Sequence, residues 1–174
     1  MFRSEASALM ALPQHPNLAH FVTFDLAARP KPILVMELVE GPNLERLIDT
    51  RAIDMKRAIG VMLDVADGLA AMHESEVGHL DLKPANVVLR GGTTAVLVDF
   101  GLAGRKIRPG CGSACYSPPE VWGHAAPGTQ PTPMAVDVYA FACLVFELLT
   151  GQVLFDGDTE VAILSLHVSH DGLP

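Results

Sequence analysis

Two aspartates, an asparagine and a lysine stand out in this 174-residue chain because of where they fall. Asp81, Lys83 and Asn86 share the stretch His79-Leu80-Asp81-Leu82-Lys83-Pro84-Ala85-Asn86. Asp99 opens Asp99-Phe100-Gly101, directly after an apolar run, and Ser117-Pro118-Pro119-Glu120 follows further on. Carboxylate and amide oxygens are the ligands that hard cations such as magnesium take. A carboxylate also orients or accepts a hydroxyl proton. Taken singly, each of these groups is an ordinary loop polar. Their order and spacing set them apart.

The elements around them alternate in period. Ala6, Leu9, Met10 and Leu12 predict a helix over 3–12, ended by Pro13 and Pro16. Apolar runs over 21–26 and 33–39 predict two antiparallel strands. Asn43 suits the N-cap of a helix over 44–49. The clearest helix covers 55–74, with Ile59, Met62, Leu63, Ala66, Leu69, Ala70 and His73 as its expected buried stripe. Short strands over 87–89 and 95–98 flank a Gly91-Gly92 turn. Residues 101–133 read as loop, 134–149 as an apolar helix stopped by Gly151, and 159–168 as a further helix. The order gives an α+β arrangement.

Composition bounds the function. The net charge of -8 argues against general nucleic-acid binding. Residues 109–174 hold seven acids and no Lys or Arg. Three cysteines, Cys111, Cys115 and Cys143, fit spare thiols in a reducing cytosol, so a cytoplasmic location is expected. The longest apolar run, 138–146, falls short of a bilayer span and predicts a buried helix, so no membrane segment is expected in this chain.

On its three polar stretches the chain resembles the catalytic domain of eukaryotic-type serine/threonine protein kinases. That family carries a catalytic loop with Asp and Asn five apart, an Asp-Phe-Gly and an Ala-Pro-Glu-like close. The resemblance implies a protein-kinase-like α+β fold. Residues 1–39 would form a partial N-lobe (helix C, two strands and the hinge), and 40–174 most of the helical C-lobe. It implies ATP and Mg2+ as cofactors, with Asp81 as base and Lys83 at the transferring phosphate. Asn86 and Asp99 would be the metal ligands, Gly101 completing the latter's motif. Met36, Glu37, Val39 and Val88 match the positions around adenine. Glu5 matches the helix glutamate that pairs with a strand lysine. Leu9, His79 and Phe100 match an apolar spine, Ser113 and Tyr116 the segment that docks a peptide, and Asp137 a helix carboxylate beneath the loop.

The chain also departs from the family. No glycine-rich loop or Val-Ala-x-Lys strand precedes Glu5, and Lys31 is misplaced to replace that lysine. No Arg follows Glu120 to pair with it. Truncation at both ends is therefore expected. Leu80 stands where many kinases have an Arg that binds an activation-loop phosphate. The implied function is transfer of the ATP γ-phosphate to a Ser or Thr hydroxyl of a protein or peptide. The alternative is a catalytically inactive kinase-like binding or scaffolding module. A small-molecule phosphotransferase fits less well, because such enzymes lack the Gly-Ser-x-x-Tyr segment and the Ser-Pro-Pro-Glu close.

Overall fold

The structure is a computed structural model, and its described residues are 9–10, 12–25, 28, 33–124, 128 and 130–170. Leu9 and Met10 are helical; most of the helix expected over 3–12, Glu5 included, lies outside the described residues. Strands β1 (Phe21–Asp25) and β2 (Ile33–Met36) pair antiparallel, with Phe21 opposite Met36 and Asp25 opposite Ile33. The second strand is shorter than the 33–39 predicted, because the chain leaves the ladder after Met36 and runs on through 37–40 without a strand partner.

Helix α1 (Leu44–Asp49) starts as predicted. The Asn43 side chain accepts from the Arg46 amide, which supplies one of the acceptors a helix start lacks. Helix α2 (Met55–Glu74) is capped the same way by Asp54. Its orientation corrects the sequence reading. The buried residues are Ala58, Val61, Val65, Gly68, Leu69, Ala71 and Met72, whereas Ile59 and Leu63 are exposed. Apolar residues lie all round this helix, so periodicity alone cannot choose a face. Gly68 decides it: a Cβ there would lie 3.0 Å from the Asn17 carbonyl oxygen. Only the glycine side lets the helix approach that segment.

Strands β3 (Val87–Arg90) and β4 (Thr94–Leu97) form a hairpin in which Val87 faces Leu97 and Arg90 faces Thr94. Its turn uses Gly91 and Gly92, both at positive φ. Residues 17–19 run beside β4. The Leu97 amide donates to the Asn17 carbonyl at 2.8 Å, and the Ala19 amide to the Leu97 carbonyl at 2.9 Å. Within the predicted 101–133 loop, Pro119–Trp122 forms a turn of 3-10 helix.

Helix α3 (Pro133–Thr150) has Thr132 as N-cap, proline in its first turn and Gly151 in the left-handed region at its end. Helix α4 (Glu160–Ser169) begins from Thr159. Helix α3 is long and apolar enough to cross a membrane by length and composition. However, it buries Asp137 and Glu147 among protein partners, so it serves as the central helix of the α-helical part. Leu44, Val61, Val65, Met72, Leu89, Leu97 and Leu144 belong to one main core, beneath the loop that carries Asp81.

Candidate active site

The loop from His79 to Asn86 is held from below. Asp137, fully buried in the first turns of α3, accepts from the His79 amide through Oδ2 and from the Leu80 amide through Oδ1, both at 2.8 Å. His73 of α2 donates its Nε2 proton to Oδ2 at 2.8 Å. A buried carboxylate with three donors is a satisfied one. The His79 ring donates from Nε2 to the Val98 carbonyl at 3.1 Å and lies 5.5 Å from the Phe100 ring. The loop is thereby tied to the segment that carries Asp99.

Asp81 stands on this support. Its Oδ2 accepts from Lys83 Nζ at 2.9 Å and from Asn86 Nδ2 at 3.1 Å. Its Oδ1 accepts from the Ser113 hydroxyl at 2.8 Å, and Lys83 Nζ donates to that same hydroxyl oxygen at 2.9 Å. Asn86 Nδ2 also donates to the Asp81 carbonyl at 2.9 Å. The 3-10 turn Pro84–Asn86 sets this spacing. Asp99 enters from the neighbouring strand end. The Val98 amide donates to the Asn86 carbonyl at 3.0 Å, so Asp99 begins one residue past that pairing. Asp99 is exposed, and its Oδ1 accepts from the Gly101 amide at 3.3 Å. Leu80 and Asp99 both adopt positive φ, at 65° and 60°. Non-glycine residues held there cost on the order of 1–3 kcal/mol each, which marks positions fixed by their surroundings.

The donor set fits magnesium. Asn86 spends its Nδ2 hydrogens on Asp81, which leaves its Oδ1 as an acceptor. With the Asp99 carboxylate this gives two hard oxygen groups of the kind magnesium takes. Among the described residues no three or more His, Cys, Asp or Glu side chains cluster as a metal cage. Magnesium typically takes only one or two protein ligands and completes its shell with water and phosphate.

The residues expected around adenine lie on β2, the segment after it and β3. Met36 ends β2 and packs against the main core, as does Val39. Val88 lies on β3, where it forms an antiparallel bridge to Asn43. The Glu37 amide donates to the His20 carbonyl at 2.8 Å. Among the described residues none pairs with the Val39 amide or carbonyl. Glu120 lies in the 3-10 turn at Pro119–Trp122 and joins none of the ion pairs among the described residues. Leu80 is buried against Val121 and Val136, with Leu102, Ile107 and Trp122 packed around them. Leu80 thus makes an apolar contact to the 101–122 segment.

Tyr116 is half-buried and packs against both the main core and the Cys143, Phe155 and Ile163 cluster. Its hydroxyl donates to Glu147 Oε2 at 2.6 Å. Burial pushes the Tyr116 phenol well above its usual range and raises the Glu147 carboxyl, the latter also crowded by Asp49 and Glu45 while the Tyr116 bond opposes the rise. Sequence reasoning missed two residues that touch this assembly, His73 and Arg90. His73 counted only as a member of a helix stripe, and its partner Asp137 is 64 positions away, so no local pattern announces the pair.

Known proteins complete the comparison. A family model described as the protein kinase domain matches residues 1–170. The serine/threonine-protein kinase PknB of Mycobacterium tuberculosis is 32% identical over 186 residues, covering 99% of this chain and 29% of that protein. PkaA and PkaB of Streptomyces coelicolor are 36% and 37% identical, over 97% and 99% of this chain and 32% and 44% of their own lengths. The chain thus spans less than half the length of these relatives. A match of this extent, carried by a loop whose hydrogen bonds converge on Asp81, places the chain in the protein kinase domain family.

Proposed function

We propose that the protein transfers the γ-phosphate of magnesium-bound ATP to a serine or threonine hydroxyl of a protein or peptide. The carrying observation is the Asp81 carboxylate, which already accepts a serine hydroxyl, from Ser113, at 2.8 Å while Lys83 donates to the same oxygen. A substrate hydroxyl needs the same acceptor, and a transferring phosphate the same cation. Phosphoryl transfer asks a protein for position and charge neutralisation more than for covalent chemistry. Asp81 takes the proton, Lys83 meets the phosphate, and Asn86 Oδ1 with Asp99 holds the metal. Magnesium, when bound with the nucleotide, neutralises the triphosphate charge. The Met36–Val39 strap and Val88 hold adenine, so the nucleotide lies between residues 1–39 and 40–174. The three free thiols support a reducing, cytoplasmic setting.

The relatives' printed names, all serine/threonine-protein kinases, support the substrate class. The test is Asp81→Asn in the full-length protein. Turnover falls by about 100-fold or more, as for a lost general base, while binding of a magnesium–ATP analogue persists. Near-normal turnover in the variant rejects Asp81 as base. Nucleotide binding without any turnover in the wild type favours a scaffolding role instead.

A further inference from the structure

Residues 37–43 form a strap between the β1–β2 sheet and α1, and Val39 packs it against the main core. Leu38 is 84% exposed. Two polar fastenings to β3 add to that packing. Downstream, the Leu89 amide donates to the Pro42 carbonyl at 2.9 Å, and Gly41 lies so close that a Cβ would strike the Leu89 carbonyl. Upstream, Arg90 Nη2 donates to Glu37 Oε1 at 2.5 Å. The same Oε1 accepts from the His20 amide at 2.9 Å, and Arg90 Nη1 reaches the Pro16 carbonyl at 3.4 Å. Arg90 therefore gathers the 16–20 segment and the strap onto the strand that also carries Val88.

We infer that Arg90 is a positioning residue for the nucleotide, acting through Glu37 to hold the main chain of Glu37 and Val39 at the adenine edge. This rests on the reading of 36–39 as the adenine strap. The reasoning is one of preorganisation. A strap fixed before binding spends less of the binding free energy on ordering itself. The pair is partly exposed, at 40% for Arg90 and 34% for Glu37, so its direct worth to stability is small. Its effect falls on the strap's placement and hence on adenine affinity.

Calorimetric titration of full-length wild type, Arg90→Met, Arg90→Lys, Glu37→Gln and the Arg90→Met/Glu37→Gln double variant tests this, with a magnesium–ATP analogue and, separately, adenosine as probes. Arg90→Met weakens both probes by the same factor, about fivefold for the loss of one ordering contact. The double variant loses no more than Arg90→Met, and Arg90→Lys recovers part of the affinity. In turnover, KM for ATP rises while kcat stays level. Equal affinity in wild type and Arg90→Met overturns the inference and leaves the nucleotide reading intact. So does a loss seen with the ATP analogue and not with adenosine, since that traces to the phosphate end. A wild type that binds neither probe overturns both.

Discussion

Helix α3 buries two carboxylates ten positions apart, and the fold treats them in opposite ways. Asp137, near its start, meets three donors: two loop amides and the His73 ring. Glu147, near its end, has the Tyr116 hydroxyl as its hydrogen-bond donor and the acids Asp49 and Glu45 as neighbours. Burial costs an ionised group several kcal/mol unless hydrogen bonds and opposite charge offset it. At Asp137 the offset is structural, because the charge organises the loop that presents Asp81. At Glu147 it is thin, and burial raises the carboxyl. A buried acid thus holds the fold together only in proportion to the donors aimed at it.

Removing the better-served carboxylate gives the largest effect. Asp137→Ala strands the His79 and Leu80 amides in a buried setting, at about 1–3 kcal/mol per unsatisfied group, so about 4 kcal/mol in all. Chemical denaturation reads this directly. Asp137→Asn keeps one amide oxygen and loses about half as much. A loss under about 1 kcal/mol for the alanine variant would mean that the loop does not depend on α3. Next comes Tyr116→Phe, which leaves Glu147 without that donor. It costs about 1–2 kcal/mol at neutral pH, and less in acid, where the carboxyl is protonated and needs the donor less. An equal cost at pH 4 and pH 7 would detach the pair from ionisation. The third is His73→Phe. Asp137 keeps both loop amides there, so the loss is about 1 kcal/mol, and a loss as large as that of Asp137→Ala would show His73 to be the main support.

The contrast also explains what could be read from the chain alone. The Asp81–Asn86 spacing, the Asp99 motif, the N-cap at Asn43 and the Asp137 position were legible, because local turns and short motifs set them. The face of α2 was not. Its apolar residues surround the helix, and only the close approach of Gly68 to Asn17 selects the inward side. Arg90 and His73 were equally silent, since each meets its carboxylate across 53 or 64 positions. Long-range polar partners leave no periodicity. The burial of Leu80 followed from the same kind of distance: an apolar residue in a polar motif signalled a departure, but its contacts, Val121 and Val136, lie far downstream.

Glu147→Gln gives the smallest effect and the sharpest one for the comparison. The glutamine oxygen still accepts from the Tyr116 hydroxyl, while the ionisation is gone. Glu147 is raised above 4.5 in the folded protein, chiefly by burial. Between 4.5 and that raised value the folded state holds a proton that the unfolded state has released. Stability of the wild type therefore falls as pH rises through this window and levels off above it. The glutamine variant lacks that fall. Its stability relative to wild type should climb across the window and then stay constant, leaving it equal to wild type in acid and slightly more stable at pH 7. Thermal unfolding of both proteins from pH 4 to pH 8 measures the difference. A difference that is flat with pH, or that favours wild type increasingly as pH rises, would mean that Glu147 is as well served in its burial as Asp137, and the two ends of α3 would no longer differ.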